Sequence, residues 1–170
     1  MLPGMSEIQG LPSHPLLVHG PVVLIPLVAL LMLALVVKRD WRASLGPWVV
    51  LLGIVMMAIT VVAAGSGEDL QANVKDTELV RQHAELGSAM RPIAFAMFVA
   101  LVLLVAPAWA YRRGGPGVLV GLASSRLWSI VITVLAVVTA VLATYWIIRT
   151  GHSGAESVWH DVKIVRSGEG

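Results

Sequence analysis

Five histidines, His14, His19, His83, His152 and His160, carry most of the chemical potential of this chain, and no cysteine accompanies them. Without cysteine there is no thiolate metal site, no disulfide and no thiol nucleophile. A bound metal must therefore rest on imidazole, carboxylate or carbonyl, and imidazole suits iron, copper or zinc. Glu68 and Asp69 directly follow the run Ala63-Ala64-Gly65-Ser66-Gly67. They can supply a ligand, fix an imidazole tautomer, or simply be solvated acids at a helix end. Glu85 and Arg91 complete the candidate set, with Arg91 able to pair with a propionate, a phospholipid phosphate or Glu85. There is no activated serine, no H-E-x-x-H and no phosphate-binding glycine loop, so no catalytic motif points to an enzyme.

The elements that must position these side chains follow from composition. Of 170 residues, 57% are hydrophobic and 13% charged, against about 45–50% apolar and about 25% charged in soluble domains. So small a chain cannot bury that much apolar surface in its own core, and the solvent implied is a lipid bilayer. Four windows with almost no charge are long enough to span it: 16–37, 45–64, 92–111 and 127–148. The expected fold is all-α, a single four-helix transmembrane bundle running up-down-up-down. The net charge of +2 and scattered basic residues give no nucleic-acid surface.

The short connections hold Lys38, Arg39, Arg42, Arg112, Arg113 and Arg126 against the single acid Asp40, which assigns them to the cytoplasm. Six basic residues, among them Lys163 and Arg166, also lie on the other side, but with nine acids. Both termini then face outward in the cell membrane. Met1 to Gly10 has no basic residue, so no cleavable leader is expected and the first span serves as its own anchor. All five histidines fall on the outer half. Counted from the inner basic end of each helix, His14 lies roughly 24 positions up, Glu68 and His152 roughly 26, His83 roughly 30 and His19 roughly 19, at about 1.5 Å each. A ring of ligands from several helices is thus expected near the outer face. His14 with His83 or His152 fits a pair better than His19 with His83, whose counted heights differ by about 16 Å.

Each histidine also has a plainer role open to it. His14, before Pro15, can merely end the approach to the first helix. His19 lies inside an apolar window, where an ionisable ring is a functional candidate. His83 shares a stripe with Leu79, Leu86 and Met90 on a helical extension expected to begin near Thr77, outside the membrane, with a kink at Arg91-Pro92. It can equally be a packed core histidine. His152 and His160 flank an expected turn after the fourth helix, Gly151-His152-Ser153-Gly154, and tail histidines are often only solvated. No internal repeat is evident, although a four-helix chain can work as a homo-oligomer. Ala136, Ala140 and Ala143 make a close-packing face on the fourth helix.

The stretch His14-Pro15-Leu16-Leu17-Val18-His19-Gly20-Pro21 resembles the H-P-x-x-V-H-x-P signature of a bacterial membrane family, domain of unknown function 2231. The glycine-acid step from Gly65 to Asp69, the position of His83 and the tail Gly154 to Val162 resemble its pattern too. The family's usual histidine-glycine pair stands here as His160-Asp161. Some members are fused to Rieske iron–sulfur domains, so the resemblance implies redox work and makes haem b or another redox metal the leading cofactor. This chain has no such domain, so a Rieske-type partner would be a separate protein. The readings carried forward are an electron-transfer protein with a histidine-bound haem or metal, a non-redox divalent-metal or small-solute protein, and a structural subunit without ligand.

Overall fold

A computed structural model of the chain describes residues 7–8 and 11–160. The leader reading of Met1 to Gly10, the tail match beyond His160 and the charges Lys163 and Arg166 lie outside the described residues, apart from Glu7 and Ile8. Those two form β1 (Glu7–Ile8), which pairs antiparallel with β2 (Leu11–Pro12). The first span is interrupted: α1 (His14–Leu17) and α2 (His19–Val37) meet at Val18. Pro21 has no N–H to offer the Leu17 carbonyl, so the ladder lapses there.

Between α2 and the next span lies α3 (Trp41–Ser44). Its buried Arg42 donates from Nε to the Leu35 carbonyl at 2.8 Å and from Nη2 to the Val36 carbonyl at 3.2 Å. These belong to the last turn of α2, where carbonyls have no donor of their own. Burial, and after it the neighbouring Arg39 charge, lowers the pKa of Arg42. The two carbonyl bonds offset that cost.

The remaining spans are α4 (Gly46–Gln71), α5 (Glu78–Arg113) and α7 (Arg126–Trp159), with a short α6 (Gly117–Ser124) before the last. Thr77 caps α5 by accepting the Val80 N–H at 3.3 Å, and Gly114, at φ 63°, ends it in the left-handed conformation that glycine tolerates. The expected start of the third helix near Thr77 therefore holds, and the helix continues across Pro92 to Arg113. Each of the four spans, α1 with α2 counted as one, is long and apolar enough to cross a membrane.

Apolar side chains surround these helices rather than forming one stripe. Ile25, Met32, Met56, Met97 and Leu101 are buried in a common core, while Leu30, Ile54, Phe95 and Val141 are exposed on the outside. In a bilayer that outer surface faces acyl chains and costs nothing. Helix α2 packs between α4 and α7, as does α5, leaving α2 and α5 diagonal. Gly46 and Gly53 of α4 lie against Val105 and against Phe98 and Leu101 of α5, so the start of one helix meets the far end of the next. Ala136, Ala140 and Ala143 are buried on α7, as their spacing predicts.

The burial pattern reveals a repeat that composition and motif conceal. Pro21, Ile25, Val28, Met32 and Leu35 of α2 are buried, and so are the residues 69 positions later on α5: Met90, Ala94, Met97, Leu101 and Leu104. Val49, Gly53, Met56, Thr60 and Ala63 of α4 match residues 87 positions later on α7: Ala136, Ala140, Ala143, Ile147 and Thr150. The chain is two copies of a helical hairpin, each with a short helix in its connection. Both copies begin at the same end of the bundle, so the repeat is parallel rather than inverted. Sequence inspection misses it because what is kept is which positions are buried, not which residue fills them.

Two glycines separate close packing from mere helix content. A side chain at Gly53 would come within 2.9 Å of Phe98, whereas one at Gly65 would meet nothing within 4 Å. Gly53→Val is expected to lower stability by about 1–3 kcal/mol. Gly65→Ala is expected to raise it by about 0.5–1 kcal/mol. Thermal melts of both variants in detergent check this.

Candidate functional site

At the end of the bundle where α1 and α5 begin, two imidazoles face each other across the diagonal. The ring centroids of His14 and His83 are 6.0 Å apart with the planes at 66°. Both rings are half-buried. The repeat explains why they meet: His83 lies 69 positions after His14, the same offset that relates the buried faces of α2 and α5.

Each ring is held from behind by the last turns of the neighbouring helix. His14 Nδ1 lies 3.1 Å from the Ala63 carbonyl and 3.2 Å from Ser66 Oγ. His83 Nδ1 lies 3.2 Å from the Thr150 carbonyl and 3.1 Å from Ser153 Oγ. The serine hydroxyls donate their single hydrogens to the same carbonyls, at 2.8 Å for Ser66 and 2.9 Å for Ser153. Both neighbours of each Nδ1 are thus acceptors, and Nδ1 must carry the hydrogen. Nε2 is left with its lone pair, and among the described residues no group hydrogen-bonds it. A carbonyl-anchored Nδ1–H with a bare Nε2 is the arrangement of a metal-ligating histidine.

Glycine makes the close approach. A side chain at Gly67 would fall 2.8 Å from Cε1 of His14, and one at Gly154 would fall 2.9 Å from Cε1 of His83. The sequence predicts a turn at Gly151 to Gly154. Instead α7 runs through it to Trp159, and α4 likewise runs through Gly65 to Gly67. A Gly/Ser cluster usually marks a break because glycine disfavours helix interiors. Here it marks where an imidazole from another helix comes close. Ser66-Gly67 and Ser153-Gly154 were missed as site residues, although a Ser-Gly pair recurring near the end of each hairpin was the available signal. Trp146 adds a clamp, its indole N–H donating to the Leu86 carbonyl at 3.1 Å.

Around the pair opens a cavity of about 580 Å³, largely apolar, reached by Pro21 and Val22, Thr60 and Gly67, and Gly87 and Met90. Glu68, Lys75 and His160 line it as well. The other expected members fall elsewhere. His19 is exposed at the first residue of α2, and His152 is exposed on α7. Neither lines the cavity. Asp69 is half-buried outside the lining, and Glu85 is exposed. Arg91 pairs not with Glu85 but with Glu68, across the boundary between α5 and α4. Of the expected ring of ligands, His14, Glu68 and His83 line the cavity and His19 and His152 do not. Among the described residues no three metal-ligating side chains converge.

The family model described as predicted membrane protein, DUF2231, matches residues 10–166. The chain belongs to this family. It is thus a predicted integral membrane protein, in agreement with its four candidate spans. No curated protein and no solved structure matches it.

The tautomer argument is open to direct measurement. In protein carrying ¹⁵N-labelled histidine, with no metal or cofactor added, His14 and His83 are expected to show protonated Nδ1 and bare Nε2 by NMR. Protonation at Nε2 in either ring would contradict the hydrogen-bond assignment. Ser66→Ala and Ser153→Ala are each expected to lower stability by about 0.5–1.5 kcal/mol, read by thermal melts.

Proposed function

We propose that this membrane protein is an electron carrier that holds a b-type haem between His14 and His83. The observation that carries the reading is a pair of histidines 6.0 Å apart in a roomy, largely apolar cavity, with no three metal-ligating side chains converging among the described residues. A structural zinc site takes four protein ligands. A porphyrin supplies four equatorial nitrogens itself and asks the protein only for axial ones. The fit is close. Two imidazole nitrogens that each bind a metal at about 2.0–2.1 Å are about 4 Å apart. Where both Nε2 atoms turn toward the gap, adding the half-width of each ring gives a centroid separation compatible with the 6.0 Å found here. Apolar walls of about 580 Å³ are within the range of about 300–1,000 Å³ typical of cofactor sites.

In this reading His14 and His83 are the ligands. Ser66, Ser153 and the carbonyls of Ala63 and Thr150 hold the rings in the ligating tautomer. When bound, the haem supplies a one-electron couple. Were both imidazoles to hold it, the site would suit electron passage better than binding of a substrate at the metal. The basic residues Arg39, Arg112, Arg113 and Arg126 lie at the opposite end of the bundle, which supports an extracytoplasmic site in the cell membrane with both termini on that side. A separate iron–sulfur protein, of the Rieske type that the family resemblance implies, is a suitable partner there.

The visible spectrum of protein purified in mild detergent tests the assignment. A reducible Soret band is expected, lost in His14→Ala and in His83→Ala but kept in His19→Ala and His152→Ala. Colourless protein that retains zinc or copper would favour the divalent-metal reading instead. Folded protein that retains neither would leave a structural subunit.

A further inference from the structure

The two hairpins repeat their architecture but not their charge. On the α4–α5 side of the cavity, Glu68 and Arg91 form an ion pair. The repeat offsets of 87 and 69 positions carry these residues onto Ala155 of α7 and Val22 of α2, both of which line the cavity on its other side. Exposed Lys75, in the loop joining α4 to α5, adds a second cation at the charged side. A nearly two-fold site thus has one polar edge and one apolar edge.

Arg91 retains unused capacity. Only its Nη2 contacts Glu68, through Oε1. A guanidinium has five donors in a planar fork, so Nη1 and Nε remain for a second carboxylate. The side chain is 37% exposed, half-withdrawn from solvent, where a charged hydrogen bond counts for more than on an open surface. Arg91 is outside the cavity lining, but it stands one helical turn beyond cavity-lining Gly87 and pairs with cavity-lining Glu68, which places it at the rim.

We propose that Arg91, steadied by Glu68 and assisted by Lys75, is the anionic subsite of this cavity, taking the carboxylates of a flat, otherwise apolar ligand. The inference rests on the haem reading, since a porphyrin carrying both carboxylates on one edge matches a cavity charged along one edge. It also sets which way round the ligand enters a scaffold whose two halves would otherwise accept either orientation.

The test compares two probes, haem b and its dimethyl ester, titrated into haem-free full-length protein in detergent and followed by absorbance. Wild type is expected to bind both and to prefer haem b. Arg91→Gln is expected to weaken haem b about tenfold and to leave the ester unchanged. Arg91→Lys should retain part of the preference. Equal loss for both probes would show that Arg91 serves only the fold, and no loss for either would show that the carboxylates lie elsewhere; both results overturn the proposal. If wild type binds neither probe, the haem reading itself falls and the subsite with it.

Discussion

The site depends on one repeated contact, an imidazole N–H held by a helix carbonyl and a serine oxygen and laid against a glycine. Each part constrains the others. Without glycine at 67 or 154 the ring could not come near enough to the neighbouring helix. Without the serine hydroxyl donating to the carbonyl three residues earlier, Nδ1 would face a group able to donate as well as accept, and the tautomer would be undetermined. In a membrane protein an unpaired imidazole near the apolar boundary is costly, so the same bonds that prepare Nε2 also make the ring tolerable where it is.

The contact occurs twice because the hairpin occurs twice. His14 with Ser66 and Gly67, and His83 with Ser153 and Gly154, are equivalent parts of two copies. Pairing the copies side by side brings the two rings to the axis between them. This arrangement explains why they come from diagonal helices α1 and α5, which otherwise hardly touch. A site on such an axis has two similar faces, which suits a planar ligand held from both sides. The differences between the copies then lie at the edges, where Arg91 answers to Val22 and Glu68 to Ala155.

Much of this was legible before coordinates. Four spans follow from charge-free windows because lipid imposes its thickness on sequence directly. Thr77 and the stripe through His83 to Met90 announced a helix beyond the third span, and helix rise alone put His14 and His83 among the better-matched candidates. What stayed hidden depends on contacts across helices. His19 and His14 carry equal chemical promise five residues apart, and only packing exposes one and half-buries the other. The repeat was invisible because Ile25 and Ala94, or Met56 and Ala143, share a position but not a chemistry. Gly151 to Gly154 read as a turn because local propensity cannot register a ring from another helix.

Depth along the helices gives the arrangement its functional direction. His83 stands 29 residues from Arg112 on one continuous helix, about 44 Å at the helical rise, whereas a hydrocarbon core is about 30 Å thick. With Arg112 placed at one edge of that core, the imidazole pair would reach the headgroup level, and Arg91, about 32 Å from Arg112, would reach the hydrocarbon edge. That is where a guanidinium and carboxylate can share water while the cavity walls stay apolar. On the haem reading, a partner able to reach the histidine end of the bundle suits such a site.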